Sequence, residues 1–200
     1  MDINLLLFQD FTALDAFGPV EVLCGVPEYT LRYISMEGGV ITNGQGIRIL
    51  TEPLNEADKT AIWVLPGGWG TRPLTSNGAF LEALKEIAET CTAFLSVCTG
   101  AALLAKAGVL DGKKATSNKK SFDWVVENGP KVLWERDARW VKEGKIYTAA
   151  GVSAGIDMAL GFLEDTFGTQ TAESTARRME YVWNRDCAEG FVHTKHDTEL

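Results

Sequence analysis

The chain has 200 residues, of which 46% are hydrophobic and 23% are charged, proportions close to those of ordinary globular proteins. This composition excludes a disordered, collagen-like or coiled-coil chain, and the length suits a single α/β domain. The formal net charge of −8 would repel nucleic acid and anionic lipid, so neither is expected as a partner.

No targeting or membrane segment is evident. Asp2 stands where a signal peptide needs cations, and no stretch approaches the 18 or so consecutive apolar residues of a membrane span. We therefore expect a cytoplasmic protein. The four cysteines show neither CxxC spacing nor the density of a disulfide scaffold, and the two histidines, His193 and His196, lie in a polar C-terminal segment. Neither a metal nor a cofactor is expected.

Strand-length apolar runs occur at residues 3–8, 61–65 and 93–97. Each run is continuously apolar, which is typical of strands covered on both faces of a parallel sheet. Between the last two runs, apolar residues recur at helical spacing after the capping candidates Ser76 and Asn77. The helical stripe consists of Phe80, Leu84, Ile87 and Cys91. This order predicts a β-α-β unit.

The remaining chain continues to alternate strands and helices. Further strands are predicted at residues 30–35, 46–49, 132–134, 139–141 and 145–148, the last two as a hairpin. Helices are predicted at 99–107 and 153–167, and for a last stripe formed by Ala172, Ala176, Met179 and Trp183. The pattern predicts a three-layer α/β/α sandwich with a mostly parallel sheet and a ligand site beyond the carboxyl ends of its strands. We predict a single domain at residues 1–185 and a C-terminal tail at 186–200.

The most informative segment is Ser96-Val97-Cys98-Thr99-Gly100, where an apolar strand ends at a cysteine and a helix of small residues begins. A tight strand-to-helix turn of this kind is a nucleophile elbow. Backbone N–H groups and the helix dipole favour a thiolate there. The alternative is an inert thiol packed in the core.

A glycine turn and an acidic segment are the other candidates. In Leu65-Pro66-Gly67-Gly68-Trp69-Gly70 a strand runs into glycines whose N–H groups can face developing negative charge, although a plain turn fits the same residues. Trp69 would wall the pocket. Thr12 and Asp15 fit a capping box, or Asp15 places a carboxyl beside the elbow. Glu21 is a possible second acid or a surface charge.

Together these segments resemble the ThiJ/PfpI superfamily, and so do residues 108–116 and 151–160. The resemblance runs from Ile3 to about Tyr181 and implies a flavodoxin-like fold of the class I glutamine amidotransferase type, with Cys98 as nucleophile. It also implies a homodimer whose interface lies near the first helix or the elbow.

Many members of this superfamily pair the elbow cysteine with a histidine, either next to it or on the following strand. Here Thr99 and Asn118 stand at these positions, so PfpI-type peptidase activity does not carry over. Cys98 followed by Thr99, with Asp15 upstream, is instead similar to the isocyanide hydratase subgroup, which adds water to an isonitrile to give an N-substituted formamide. Asn118 and Val152 are further candidates for contact with the substrate.

The resemblance implies a mechanism in which Cys98 attacks a small-molecule isonitrile to form a covalent thioimidate and Asp15 moves the protons. Because like charges disfavour each other, we predict a protonated Asp15 beside an ionised Cys98 that titrate as one unit. Thr99 and the N–H groups of Gly68 and Thr99 would hold charge or water, and Gly67 is a further candidate for the oxyanion or substrate site. Two alternatives are a glyoxalase-like or stress-response enzyme acting on reactive carbonyls, and a non-enzymatic ligand or redox sensor.

Overall fold

The protein is described here by a computed structural model that covers residues 2–26 and 29–188. Ten strands occur in these residues: β1 (Asp2–Leu6), β2 (Thr30–Ser35), β3 (Glu37–Thr42), β4 (Arg48–Pro53), β5 (Ile62–Leu65), β6 (Ala93–Val97), β7 (Lys114–Ala115), β8 (Leu133–Trp134), β9 (Trp140–Glu143) and β10 (Ile146–Ala149). Eight of them form one sheet in the order β3-β4-β2-β1-β5-β6-β10-β9, and β7 and β8 pair separately. The six inner strands run parallel, whereas β3 and β9 are antiparallel edges.

Helices cover both faces of the sheet. They are α1 (Ala13–Leu23), α2 (Thr71–Leu74), α3 (Gly78–Thr90), α4 (Gly100–Lys106), α5 (Phe122–Asn128), α6 (Ala154–Phe167) and α7 (Thr169–Arg178), with a 3₁₀ turn at Leu54–Glu56. Helix α6 packs against α1 and against α7, and these three helices form one group. Helices α2, α3 and α5 each contact α4 and form a second group with it. Strands β5, β6 and β10 are buried at every position, as continuous apolarity predicts for a sheet covered on both sides.

The crevice for the site follows from the strand order. Strand β1 lies between β2 and β5 in the sheet. The chain continues from β1 toward β2 and from β5 toward β6, in opposite directions across the sheet, which leaves a crevice at the carboxyl ends of β1 and β5. The loops after these two strands meet where Phe11 and Gly68 form an isolated bridge and the Thr12 N–H donates to the Gly67 carbonyl at 2.8 Å. The loop after β6 begins at Cys98. The loops after β1, β5 and β6 therefore come together at the carboxyl ends of these strands.

The predicted α/β sandwich with a mostly parallel sheet is confirmed, and so is the β5-α3-β6 unit, in which the Asn77 side chain caps α3 by accepting from Phe80 N–H at 3.1 Å. Strand β3 was not predicted, because Gly38 and Gly39 adopt positive φ and resemble a turn in the sequence. Strand β7 and helices α2 and α5 are too short to show a period.

The last helix was predicted too long. Helix α7 ends at Arg178, so Met179 and Trp183 lie beyond it. The chain turns at Glu180, where φ is 50°, and the next segment is held by the fully buried carboxylate of Asp157, which accepts from the Asn184 N–H at 2.9 Å. That long-range partner is invisible in the local pattern. No helix in the described part of the chain is long and apolar enough to cross a membrane.

Candidate active site

Cys98 forms the point of a strained strand-to-helix turn. Strand β6 ends at Val97, Cys98 has a φ of 58°, and α4 begins at Gly100. A positive φ is costly for a residue with a side chain and persists only where neighbours hold it. Here the Cys98 N–H donates to the Ala149 carbonyl at 3.0 Å, and the Ser117 hydroxyl donates to the Cys98 carbonyl at 2.7 Å. The predicted tight strand-to-helix turn, with Cys98 at its point, is therefore present in the fold.

The glycine turn after β5 lies in direct contact with the elbow. A Cβ atom on Gly67 would be 2.6 Å from the Thr99 nitrogen and 2.8 Å from the Cys98 Cβ. A Cβ atom on Gly100 would be 2.8 Å from the Pro66 carbonyl oxygen. All three distances are shorter than real Cβ atoms show, so these two glycines allow the turn and the elbow to pack together.

Asp15 is fully buried in the first turn of α1 and faces the elbow. Thr12 occupies the N-cap position of α1 but makes no side-chain cap, so the capping-box interpretation is wrong. Asp15 Oδ2 instead accepts a hydrogen bond from the Gly67 N–H at 3.1 Å, while Oδ1 has no hydrogen-bond partner among the described residues. The carboxyl lies close enough to the Cys98 thiol for each group to shift the pKa of the other.

Thr99 supplies both its backbone and its side chain to the site. Its N–H and its hydroxyl each lower the pKa of the Cys98 thiol. The hydroxyl oxygen accepts from the Gly68 N–H at 3.0 Å and from the Thr71 hydroxyl at 3.2 Å. These contacts fix the position of the Thr99 hydroxyl beside the sulfur.

The N–H groups of Gly67 and Gly68 therefore do not have the role that the sequence suggested. Both donors are already used within the protein, by Asp15 and by Thr99. The turn positions the acid and the hydroxyl, and it does not present these two donors to a substrate. We correct the predicted oxyanion role of these glycines accordingly.

The pKa shifts at the pair agree only in part with the predicted charges. Burial raises the pKa of Asp15 to about 7, against the lowering effects of the Gly67 N–H and the Cys98 thiol. Burial and the negative charge of Asp15 both raise the pKa of Cys98. The raised pKa of Asp15 fits the predicted protonated acid, but the raised pKa of Cys98 argues against the predicted resting thiolate, since Cys98 as a residue is only 8% exposed. The proton shared by the pair lies mainly on sulfur at rest.

A cavity of about 390 Å³ opens at Cys98, a volume suited to a small molecule. Its described lining residues are Thr12, Gly68, Trp69, Arg72, Cys98, Thr99, Lys120 and Ser121. Trp69 forms part of its wall, although its own side chain is 74% exposed. No cluster of three metal-ligating side chains occurs within residues 2–26 and 29–188, and His193 and His196 lie outside these ranges.

Three predicted residues are not among those that line this cavity. Glu21 is 62% exposed and pairs with Arg178 on the surface at 3.0 Å, so it is no second acid beside the sulfur. Val152 and Asn118 do not line the cavity at Cys98. Asn118 Oδ1 accepts from the Ser121 N–H at 3.0 Å and so supports a lining residue from behind.

Sequence reasoning missed the residues that follow the glycine turn. Thr71 orients Thr99, and Arg72 lines the cavity. Both lie within four residues of Gly68. Their position directly after the predicted loop at the carboxyl end of β5 was the signal that could have identified them. Ser121 and Lys120 come from a loop that is distant in sequence and carries no local signal.

Comparisons with known proteins match this geometry to a family. The sequence profile of the DJ-1/PfpI family matches residues 1–165 of the chain. The chain belongs to the DJ-1/PfpI family. The superfamily resemblance seen in the sequence is thereby confirmed.

Three relatives illustrate the range of this family. Isonitrile hydratase of Pseudomonas putida is 29% identical over 183 residues, which make up 91% of this chain and 79% of that protein. The crystal structure of a ThiJ/PfpI family protein from Pseudomonas syringae superimposes with a TM-score of 0.82 at 26% identity, covering 92% of this chain and 76% of that one. The HTH-type transcriptional regulator CdhR of Pseudomonas aeruginosa is 27% identical over 155 residues, which are 76% of this chain but 45% of the regulator. Because DJ-1/PfpI relatives include both an enzyme and a regulator, activity has to be argued from the site.

Proposed function

We propose that this DJ-1/PfpI protein is a cysteine-dependent hydratase that adds water to an isonitrile to give an N-substituted formamide. The observation that supports this most directly is the buried Asp15 carboxyl beside Cys98, held by Gly67 and free of any hydrogen-bond partner at Oδ1 among the described residues. A proton donor and acceptor at this place suits a reaction that moves protons to and from one carbon atom. Similarity to an isonitrile hydratase over 91% of the chain supports the same choice.

The first half of the reaction forms a covalent intermediate. The Asp15 carboxylate accepts the Cys98 proton while the sulfur electron pair forms a bond to the terminal carbon of R–N≡C. The proton then passes from Asp15 to that carbon. The product of this half is a thioimidate, R–N=CH–S–Cys98, beside an ionised Asp15.

The second half consumes water. The water oxygen bonds to the thioimidate carbon, and its proton reaches the substrate nitrogen through Asp15. The C–S bond then breaks, its electron pair returns to sulfur, and the remaining hydroxyl proton restores the thiol. One water is used for each formamide, and no electrons are exchanged with another reactant. The Thr99 hydroxyl, fixed by Gly68 and Thr71, lies where it can orient this water.

The test is a panel of isonitriles, methylglyoxal and simple amides assayed with the native protein and with Cys98→Ser. We expect formamide from isonitriles only, and a loss of at least 10³-fold in kcat/KM in Cys98→Ser. Lactate from methylglyoxal would favour the carbonyl-processing alternative. Binding of panel members with no product from any of them would favour a ligand sensor.

A redox sensor is the less favoured alternative. Oxidation to sulfinic acid requires a reactive thiolate, whereas burial and Asp15 raise the pKa of Cys98.

We also propose a homodimer whose interface includes the exposed apolar side chain of Leu14 at the start of α1 and the neighbouring Ile156 of α6. Analytical ultracentrifugation tests this, with a monomer at micromolar concentration as the contrary result.

A further inference from the structure

An arginine stands between two tryptophans at the cavity that contains Cys98. The Arg72 guanidinium carbon lies 4.4 Å from the ring centroid of Trp69 and 4.4 Å from that of Trp124. Two cation–π contacts of this kind keep the guanidinium charge at one place. Arg72 and Trp69 both line the cavity, together with Cys98.

The charge of Arg72 is not neutralised by the part of the chain that the structure describes. Six of the other seven arginines form ion pairs with acidic side chains. Arg72 has no such partner there, although acidic residues outnumber basic ones by 27 to 19. Its guanidinium also donates no hydrogen bond to the described residues. Because neither ring contact uses an N–H group as a hydrogen-bond donor to oxygen, the guanidinium N–H groups are left for an external acceptor.

The other residues that line the cavity also suit a negatively charged ligand. The side chains of Thr12 and Ser121 are hydroxyls that can donate hydrogen bonds to an anion. No described lining residue carries a carboxylate. Arg72 therefore places a positive charge at this cavity in a protein whose overall charge is −8, which concentrates anions at this point.

We infer that the substrate of this site carries a carboxylate, held by the guanidinium N–H groups of Arg72, with its reactive group at the Cys98 sulfur. A planar guanidinium binds a carboxylate through two parallel hydrogen bonds, and such charge-assisted pairs are strong. Under the proposed function, the substrate is an isonitrile that bears a carboxylate. Only the identity of its reactive group rests on that proposed function.

The first experiment needs no turnover. Cys98 is alkylated with iodoacetate and, separately, with iodoacetamide, which differ in charge but hardly in size, and the rates are read by peptide mapping. We expect Arg72→Met to lower the ratio of the iodoacetate rate to the iodoacetamide rate at Cys98 about tenfold, with the iodoacetamide rate changed less than about twofold. Arg72→Lys should restore part of the ratio.

Two controls accompany this measurement. Cys24 and Cys187 are exposed thiols in the same molecule, and their ratio should not change. Arg177→Met removes an equal charge from an exposed position on α7 and should leave the ratio at Cys98 intact. An unchanged ratio in Arg72→Met, equal loss of both rates, or no reaction at Cys98 with either reagent would overturn the inference.

The second experiment separates this inference from the proposed hydratase activity. Isocyanoacetate and its methyl ester are compared as substrates of the native protein and Arg72→Met. We expect Arg72→Met to raise KM for isocyanoacetate about tenfold and to change kcat/KM for the ester by less than about twofold. If neither compound reacts but the alkylation ratio depends on Arg72, the hydratase proposal fails and the anion site stands. If both react equally and Arg72→Met has no effect, the anion site fails and the hydratase stands.

Discussion

At the scale of single residues, the site depends on one proton shared between Asp15 and Cys98. Because both groups are buried, ionising either is costly, and ionising both is costlier still. With two protons on the pair, Asp15 cannot accept the thiol proton. With one proton, the pair can interconvert between the thiol with a carboxylate and the thiolate with a carboxylic acid. In the proposed mechanism the singly protonated pair is therefore the active form.

The pH dependence of activity follows from the number of protons on the Asp15–Cys98 pair. The pKa of Asp15 is raised to about 7, so kcat/KM for a neutral isonitrile should rise through an apparent pKa near 7 and then level off. Asp15→Asn should lower kcat/KM by roughly 10²- to 10⁴-fold, the usual contribution of general acid–base catalysis. Stopped-flow or steady-state profiles from pH 5 to 9 provide the measurement. A profile that is flat across pH 7 in the native protein would contradict the role of Asp15.

The same shift has a consequence for stability. A carboxyl whose pKa is raised in the folded state stabilises the fold when protonated, and this contribution is lost as the pH rises from about 4 to about 7. For Asp15 the full effect is on the order of 4 kcal/mol. Urea unfolding at pH 5 and pH 8 should show that Asp15→Asn gains stability relative to the native protein at the higher pH. A constant difference between the two proteins would argue against the raised pKa.

At the scale of elements, the site forms where three loops at the carboxyl ends of β1, β5 and β6 meet. Hydrogen bonds of Gly67 and Gly68 connect the loops, since one glycine holds Asp15 and the other holds Thr99. The glycine turn is thus the part that sets the distance between acid and sulfur. A displacement of this turn should impair catalysis before it unfolds the protein.

Gly67→Ala tests this directly. The new Cβ would lie 2.6 Å from the Thr99 nitrogen, so the turn and the elbow must separate. We expect kcat/KM to fall by about 10²-fold, as misplacement of catalytic groups by about 1 Å does in other enzymes, and Gly78→Ala, whose Cβ meets nothing within 4 Å, to be neutral. Steady-state kinetics with circular dichroism would check both variants. Full activity in Gly67→Ala would show that the turn does not position the pair.

Sequence reasoning found these loops because each follows a buried strand and contains an unusual local pattern. Cys98 was identified from the small residues after β6, and Asp15 from its place after β1. The paired use of the Gly67 and Gly68 donors was not predicted, because it depends on contacts between residues more than 30 positions apart. The burial of the sulfur, which opposes a resting thiolate, was equally beyond a local pattern.

At the scale of the whole molecule, the centre of the parallel sheet and the edge strand β9 were predictable, and the edge strand β3 was not. Continuous apolar runs predict β1, β5 and β6, because both faces of those strands are covered. The edge strand β3 has two glycines at positive φ directly after its first residue, and the segment after α7 is held by Asp157 through contacts distant in sequence. The predicted boundary between a domain at 1–185 and a tail at 186–200 stays a prediction, since residues 189–200 lie outside the described ranges.

The most direct test is intact-protein mass spectrometry of samples quenched during turnover of benzyl isocyanide. Attack by Cys98 predicts a transient mass increase equal to one isonitrile molecule, mapped to the peptide that contains Cys98, which decays as the formamide appears. The increase should be absent from Cys98→Ser. Formamide production by Cys98→Ser, or an adduct on a different residue, would contradict nucleophilic catalysis at the elbow.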